Sequence, residues 1–296
     1  MQDYINCLGY DKTQLTLRND YAFKWLFGKE ENKDILIALL SIITGIKKED
    51  LQEITVENTY LSKQHYTEKT GILDIKAVLK NGKRISIEMQ NKWQTDYAKR
   101  VLFYWSKRYI ENFKQSQAYR NLNKTILITL LNERFPYSDK VHSIYKLLEE
   151  KEHTPLDDIL EIHFLDMTKI QEYDLSELEK WLLFIKTTKD EVREMLAEKD
   201  KTMKKANEAL GRFWSNKEER EKYEAEFRYE CDMASLREDG IDIGMRKGIG
   251  IGRQEGIGIG RQDEKIYIAK NMINKHMDIN LISQLTDLSV DDIMRL

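Results

Sequence analysis

The stretch GILDIKAVLKNGKRISIEMQN, residues 71–91, places three polar side chains where β-strands normally bury apolar ones. Asp74 interrupts one apolar run, and Glu88 and Gln90 interrupt the next. Between the two runs, the tetrapeptide KNGK is a strong signal for a β-hairpin. The loop length of this hairpin decides which side chains share a face, because a shift of one residue moves every side chain to the opposite face.

The apolar pattern selects a three-residue loop. A two-residue loop would place Ile75 opposite Glu88 and would mix charged and apolar groups on both faces. A three-residue loop that ends at Gly82, in a left-handed bulge position, instead pairs Ile75 with Ile87. Asp74 then lies directly opposite Glu88 on the other face. Directly opposed like charges are destabilising, so this register predicts a positive charge between the two carboxylates.

The sequence is compatible with two sources of that positive charge. Mg²⁺ takes one or two carboxylates together with waters and substrate phosphates, so the pair suits a magnesium site. Alternatively, Lys76 or another basic residue neutralises the pair on an exposed sheet face.

Composition and segment hydropathy narrow the class of protein. The 296 residues allow one large domain or two smaller ones. The two cysteines, Cys7 and Cys231, lie far apart and have no CxxC partner, which predicts a reduced chain without a disulfide framework. The N-terminus lacks a basic segment followed by an apolar one, and the most apolar run has 12 residues where a membrane span needs about 20. We therefore expect a soluble, cytoplasmic protein with no membrane partner.

The formal net charge of −3 hides a local asymmetry. Residues 76–124 contain 12 lysines and arginines against three acids. A clustered basic region is the electrostatic footprint of a phosphate-backbone partner. The alternative is a solvated basic helix face beside an acidic one.

Hydrophobic periodicity predicts the element order α-α-β-β-β-α-β, followed by another strand and more helices. Helices are expected to begin near Asn19 or Asp20, to end at Gly45, and to span residues 95–114. The predicted strands are residues 52–61, 72–79, 83–90, 124–132 and 160–167.

A strand aspartate, a turn, Glu-x-(polar) on the next strand and then a helix resemble the core of the PD-(D/E)XK nuclease superfamily. The sequence most resembles one branch of that superfamily, the recombination-promoting nucleases, also called PD-(D/E)XK nuclease family transposases. The resemblance extends from about residue 17 to residue 168. It is carried, in order, by NDYAFKWLFG, ILDIKAVLKNGKRISIEMQ, KRVLFYWSKRYIENF, TILITLLN, YSDKVHSIYKL and LEIHFLDM.

The resemblance implies an α/β fold with a restriction-endonuclease-like core, in which helices flank a mixed central sheet in the order α-β-β-β-α-β, and an α-helical C-terminal extension. It implies Asp74 and Glu88 as metal ligands and catalytic residues, with Mg²⁺ as the cofactor and Mn²⁺ as a substitute. Gln90 is the third catalytic candidate and stands where most of the superfamily has lysine. Asp20 is either an accessory residue beside the metal or, as we favour here, only the N-cap of the first helix.

The function that the resemblance implies is a Mg²⁺-dependent DNA endonuclease that hydrolyses phosphodiester bonds and is linked to recombination or mobile DNA. Lys92, Lys99, Arg100 and Lys107 are the candidate contacts to DNA, and Lys92 is also a candidate substitute for the missing lysine. Because Gln90 cannot supply a positive charge, the alternative is a catalytically silent nuclease-like module that binds DNA or self-assembles.

Domain organisation is predicted from the change in composition along the chain. We divide it into a nuclease-like domain (1–188), a charged helical segment (189–239), a glycine-rich octapeptide repeat (240–263) and a small helical tail (264–296). The repeat contains eight of the 14 glycines. It is either a surface for close self-association, giving a homodimer or higher oligomer through the tail, or a flexible linker.

Overall fold

The computed structural model describes residues 15–57, 74–91, 96–171 and 173–296, and it contains a six-stranded mixed sheet. The strands lie in the order β1-β2-β3-β4-β6-β5. The neighbours β3, β4 and β6 run parallel to one another, and the other pairings are antiparallel. The strands are β1 (Thr55–Glu57), β2 (Ile75–Val78), β3 (Arg84–Gln90), β4 (Thr125–Leu131), β5 (His142–Lys146) and β6 (Leu160–Asp166).

Helices flank this sheet. The α-helices are α1 (Asp20–Phe27), α2 (Lys33–Thr44), α3 (Lys48–Leu51), α4 (Tyr97–Ile110), α5 (Glu177–Lys186), α6 (Asp190–Ala197), α7 (Lys201–Ser215), α8 (Lys217–Asn274), α9 (Ile279–Thr286) and α10 (Val290–Met294). The mixed sheet flanked by helices is confirmed, and the predicted order of elements is confirmed apart from α3 and β5, which were not predicted.

The hairpin has the register that the apolar pattern selects. Ile75 pairs with Ile87 and Ala77 pairs with Ile85. The backbone N–H of Gly82 donates to the carbonyl oxygen of Leu79 at 2.9 Å, and Gly82 has φ +82°. The three-residue bulged loop is therefore confirmed.

Side chains of β4 alternate between two apolar clusters. Ile126, Ile128 and Leu130 face the large cluster that includes α1, α2, α5 and α7. Leu127 and Leu131 face a smaller cluster that includes Tyr97 and Val101 of α4. Both faces of the central strand are therefore buried, as is usual for parallel strands covered by helices on both sides. The packing of Tyr97 and Val101 places the first turn of α4 beside the C-terminal end of β3.

Two sequence predictions differ from the structure. Strand β5 was not predicted, because its edge position leaves Ile144 and Tyr145 exposed and so removes the alternation that a half-buried strand shows. The expectation of a reduced chain also differs from the structure, in which Cys231 is disulfide-bonded.

The chain divides into two compact units, residues 1–231 and 232–296. The first unit contains the sheet and helices α1–α7, and its helix α7 packs against α2. The leading part of α8 closes this unit, with Tyr223 and Phe227 buried in it.

The second unit contains the glycine repeat, which is helical throughout as part of α8. Every residue from 235 to 264 is exposed. After the repeat, the end of α8, α9 and α10 share a small apolar cluster of Ala269, Ile282, Leu288 and Ile293. No helix in the described ranges is both long and apolar enough to cross a membrane.

The hairpin turn yields a stability prediction. An alanine at Gly82 would adopt φ +82°, a left-handed conformation that costs an L-residue about 1–2 kcal/mol, and its Cβ would lie 2.7 Å from Asn123 Nδ2. We expect Gly82→Ala to lower the free energy of unfolding by about that amount in urea denaturation. The matched control is Gly211→Ala in α7, where no atom lies within 4 Å of the added Cβ and the better helix former should stabilise. Equal stability of Gly82→Ala and the unmodified chain would contradict the bulged turn.

Candidate functional site

The site is built on the paired ends of β2 and β3. Because Ile75 pairs with Ile87, the next residues outward, Asp74 and Glu88, lie opposite each other on the other face. Both carboxylates are buried, with 6% and 7% of the residue exposed. The backbone N–H of Met89 donates to Asp74 Oδ2 at 2.6 Å, which fixes the orientation of that carboxylate.

Two cations from different helices lie against the carboxylate pair. Lys24 Nζ of α1 is 3.0 Å from Asp74 Oδ1, and Arg100 Nη2 of α4 is 3.2 Å from Glu88 Oε1. Lys76, the sequence alternative for this role, places its ammonium 2.7 Å from a carboxylate oxygen of Glu111. The pair is therefore contacted by Lys24 and Arg100, as the alternative of another basic residue allowed, but it is buried and does not lie on an exposed sheet face.

Gln90 is bound to the same arginine. Arg100 Nη2 donates to Gln90 Oε1 as well as to Glu88 Oε1, and the guanidinium lies 4.5 Å from the ring centroid of Tyr97. The hydroxyl of Tyr97 donates to Glu88 Oε2 at 3.2 Å and lies 3.4 Å from Thr129 Oγ1. The first turn of α4 thus holds both the carboxylate and the carboxamide at the end of β3.

A second acidic group adjoins the first. One carboxylate oxygen from each of Asp20, Glu226 and Glu230 lies within 4.8 Å of the others. Glu226 and Glu230 are four residues apart on α8, within the first unit, and therefore lie on one face of that helix. Glu230 Oε2 is buried and makes no hydrogen bond to any described residue.

Burial and mutual repulsion raise the pKa values of these carboxyls. Burial raises the pKa of Glu88 to about 7, assisted by Asp74 and opposed by Arg100. Burial and then the charge of Asp74 raise the pKa of Asp20 to about 8, and burial, Glu226 and Asp74 raise the pKa of Glu230 to about 7. The pKa of Asp74 is also raised, because burial outweighs the opposing effects of Lys24 and the Met89 N–H.

For Lys24, in contrast to Asp74, the effect of neighbouring charges on the pKa is larger than the effect of burial. Burial lowers its pKa, but the negative charges of Asp74 and Asp20 outweigh burial, so the net pKa is raised. The side chain therefore stays protonated among the carboxylates at neutral pH.

The structure brings together five of the predicted site residues, namely Asp20, Asp74, Glu88, Gln90 and Arg100. Asp20 is not the N-cap of α1: Asn19 is the cap, and its side chain accepts from the backbone N–H of Ala22 at 3.1 Å. That hydrogen bond leaves the Asp20 carboxylate available to the acidic group.

The predicted DNA contacts lie in different environments. Arg100 faces the carboxylate pair, whereas the Lys99 side chain on the same helix is 88% exposed. Lys107 lies 5.9 Å from the ring centroid of Phe103 on α4. Lys92 lies outside the described residues.

Sequence reasoning missed Lys24, Tyr97, Glu226 and Glu230. Lys24 follows Asp20 by one helical turn, and Glu226 precedes Glu230 by one, so each pair carries a spacing signal. That signal is weak in a chain with 33% charged residues. Only the tertiary fold distinguishes these residues from other charged pairs.

The family model for PD-(D/E)XK nuclease family transposases matches residues 17–240. The chain belongs to this family. The six-stranded mixed sheet with flanking helices fits the restriction-endonuclease-like α/β fold that the resemblance implied, and α8–α10 form its helical extension. The family match includes Glu226 and Glu230 as well as the hairpin. No curated protein and no solved structure matches the chain.

The donor groups of the site fit a divalent metal ion of the kind that PD-(D/E)XK nucleases generally use. All the candidate ligands are carboxylate oxygens, which hard cations such as Mg²⁺ and Mn²⁺ prefer. Burial is the main cause of the raised pKa values of Glu88, Asp20 and Glu230, and repulsion by neighbouring carboxylates adds to it. A bound cation would offset that repulsion.

The raised pKa values predict how the stability of the metal-free protein depends on pH. Glu88 and Glu230 change from 4.5 to about 7, and Asp20 changes from 3.8 to about 8. Each folded-state carboxyl binds its proton more tightly than the unfolded one, so its contribution to stability is complete below the unfolded pKa and is lost as the pH rises through the folded pKa. We expect the free energy of unfolding in EDTA to fall between about pH 6.5 and pH 8.

Urea denaturation across this pH range measures the effect. His142, whose pKa burial lowers from 6.5 to about 4, favours the opposite trend, but only below about pH 6.5. The variants Asp20→Asn and Glu230→Gln should flatten the slope, because each removes one titrating carboxyl. A stability that rises from pH 6.5 to pH 8 would contradict the raised pKa values.

Proposed function

We propose that this protein is a Mg²⁺-dependent endonuclease that hydrolyses phosphodiester bonds in DNA, for which Mn²⁺ substitutes. The observation that carries the proposal is the convergence of Asp74 and Glu88 on one sheet face, in a chain of a nuclease family. A role in recombination or mobile DNA, and a cytoplasmic location where DNA is accessible, form part of the same proposal.

Asp74 and Glu88 are the proposed metal ligands, and Asp20, Glu226 and Glu230 are available for a further cation beside them. A divalent cation there supplies an activated water and neutralises charge on the phosphoryl oxygens. The chain's own residues orient the reaction: the Met89 N–H fixes Asp74, and Tyr97 fixes Glu88. Lys24 and Arg100 hold these carboxylates until a metal competes for them.

Gln90 is proposed to orient the attacking water, since a carboxamide both donates and accepts hydrogen bonds. In the hydrolysis, the water gives up one proton as its oxygen bonds to phosphorus, the phosphorus–oxygen ester bond breaks, and the leaving oxygen takes up one proton. As long as no cation occupies their group, Glu230 and Asp20, whose pKa values lie near 7 and 8, are able to hold or release a proton at neutral pH.

The DNA backbone is proposed to contact the exposed side of α4. Lys99 and Lys107 are eight residues apart on this helix, so their positions differ by about 80° around its axis and by about 12 Å along it. Their ammonium groups would bind phosphates and release counterions, which gives affinity without sequence preference. Lys92 belongs to the same proposed surface by its position in the sequence.

Plasmid nicking tests the proposed activity. We expect the full chain to nick supercoiled DNA with Mg²⁺ but not with EDTA. Asp74→Asn and Glu88→Gln should each lower the nicking rate at least about 100-fold, because a metal supplies several kcal/mol of transition-state stabilisation. The control is Asp139→Asn, whose carboxylate is 93% exposed and forms an ion pair with the exposed side chain of Arg134.

The outcome also distinguishes the alternative function. A chain that binds DNA but does not nick it with Mg²⁺ or Mn²⁺ would be a catalytically silent nuclease-like module. Nicking that persists in both carboxylate variants would contradict the roles given to Asp74 and Glu88.

Self-association through the glycine repeat is a second proposal, supported by the exposure of its helix. Each glycine in a helix costs about 1 kcal/mol relative to alanine, and the repeat contains eight. Its six isoleucines are 48–65% exposed in the single chain. Packing against a second copy would bury the isoleucines and offset the cost of the glycines. We propose that two copies meet along this helix.

Alanine substitution separates a contact surface from a spacer. A Cβ at Gly248 or Gly252 meets no atom within 4 Å in the single chain, so Gly248→Ala/Gly252→Ala should stabilise an unpartnered helix. In a close dimer the added methyl groups should instead cause dissociation, measured by analytical ultracentrifugation. Gly250→Ala is the matched control, since it lies about 200° around the helix from both.

Truncation after Asp239 provides the complementary measurement. We expect it to give a smaller assembly while metal-dependent nicking is retained, because the site residues all precede Asp239. An assembly that is unchanged in both the alanine variant and the truncated chain would mean that the repeat is only a spacer.

A further inference from the structure

The side chain at the C-terminal end of β3 carries no positive charge. Gln90 is the last residue of β3, and its carboxamide cannot carry charge. Phosphodiester hydrolysis places additional negative charge on the phosphoryl oxygens, and a preorganised cation stabilises that charge. If the proposed function holds, another residue must supply this cation.

The described cations beside the two carboxylates are Lys24 and Arg100, and they have different positions. Lys24 is 3.0 Å from Asp74 Oδ1 and lies on the side of Asp20 and Glu226. Arg100 contacts Glu88 and Gln90 together. Of these two cations, Arg100 is therefore the one in contact with the side chain of Gln90.

Arg100 is also held in a fixed orientation. Its guanidinium lies over the ring of Tyr97, which is fully buried and packs with Val101 in the core. The arginine side chain remains 29% exposed, so a phosphate is able to reach it from solvent. A planar guanidinium stays protonated and matches the two oxygens of a phosphate better than an ammonium does.

We infer that Arg100 is the phosphate-binding cation of the active centre and that Gln90 is the residue that positions it. The inference rests on the proposed nuclease function. Arg100 contacts a non-bridging oxygen of the scissile phosphate and neither gives nor takes a proton. Gln90 accepts a hydrogen bond from Arg100 Nη2 and so aims the guanidinium at the end of β3. A lysine at position 90 would make Arg100 dispensable.

Variants that move the positive charge from position 100 to position 90 test this assignment. Arg100→Gln should lower the nicking rate about 100-fold or more, as removal of one preorganised transition-state donor does elsewhere. The double variant Gln90→Lys/Arg100→Gln returns a cation to the end of β3 and should recover at least about tenfold over Arg100→Gln alone. Arg134→Gln is the matched control, because that arginine side chain is 76% exposed and lies in an exposed ion pair.

Metal binding gives a readout that does not depend on activity. Isothermal titration calorimetry with Mg²⁺ alone should show that Arg100→Gln binds the ion at least as tightly as the unmodified chain, because a competing cation 3.2 Å from Glu88 has been removed. Loss of Mg²⁺ binding, together with a large fall in melting temperature, would instead show that Arg100 only supports Glu88. That result would overturn the inference.

The remaining outcomes separate this inference from the proposed function. If the unmodified chain nicks DNA and Arg100→Gln nicks equally well, the inference is wrong while the nuclease function stands. If the unmodified chain does not nick DNA with Mg²⁺ or Mn²⁺, both are wrong. If Arg100→Gln does not fold, Arg100→Lys and the double variant decide, since a failure of rescue in a folded double variant also overturns the assignment.

Discussion

The pairing of β2 with β3 is the constraint on which the candidate site depends. A three-residue turn with Gly82 at positive φ sets the register, and the register buries Ile75 against Ile87. The same register places Asp74 opposite Glu88. Their side chains are about 5 Å apart at Cβ in such a pair, so the fold acquires a repulsive contact as a direct consequence of burying its apolar face.

Other groups of the site reduce the repulsion between these two carboxylates. Lys24 approaches from α1 and Arg100 approaches from α4, and each neutralises one carboxylate. Both ion pairs are partly buried, where electrostatic interactions are stronger than in water. A metal ion that binds the carboxylates competes with these two cations, so the charges that stabilise the metal-free protein also weaken its affinity for metal.

The sequence predicts the parts of this arrangement that depend on local pattern. The hairpin register follows from alternating apolar residues and one turn signal, both within residues 71–91. The order of strands and helices follows from periodicity along the chain. Strand β5 was missed because an exposed edge strand needs no alternation of buried residues.

Other parts depend on contacts between residues that are distant in the chain. Glu226 and Glu230 join Asp20 from a distant part of the chain, and their own neighbourhood in sequence is rich in charged residues. Arg100 was predicted as a DNA contact because the sequence shows its charge but not its direction on α4. The choice between Asn19 and Asp20 as the helix cap is a local matter, yet both side chains suit that position equally well.

Because the octapeptide repeat is helical, the number of its copies sets the length of α8 and the rotation between the residues before and after the repeat. Eight residues of α-helix add about 12 Å of rise and two full turns plus about 80° of rotation. Adding or removing one copy within residues 240–263 would therefore move the following three-helix tail along the axis of α8 and also turn it to a different azimuth. The gain or loss of one whole unit would thus alter the phase of this helix in a single step.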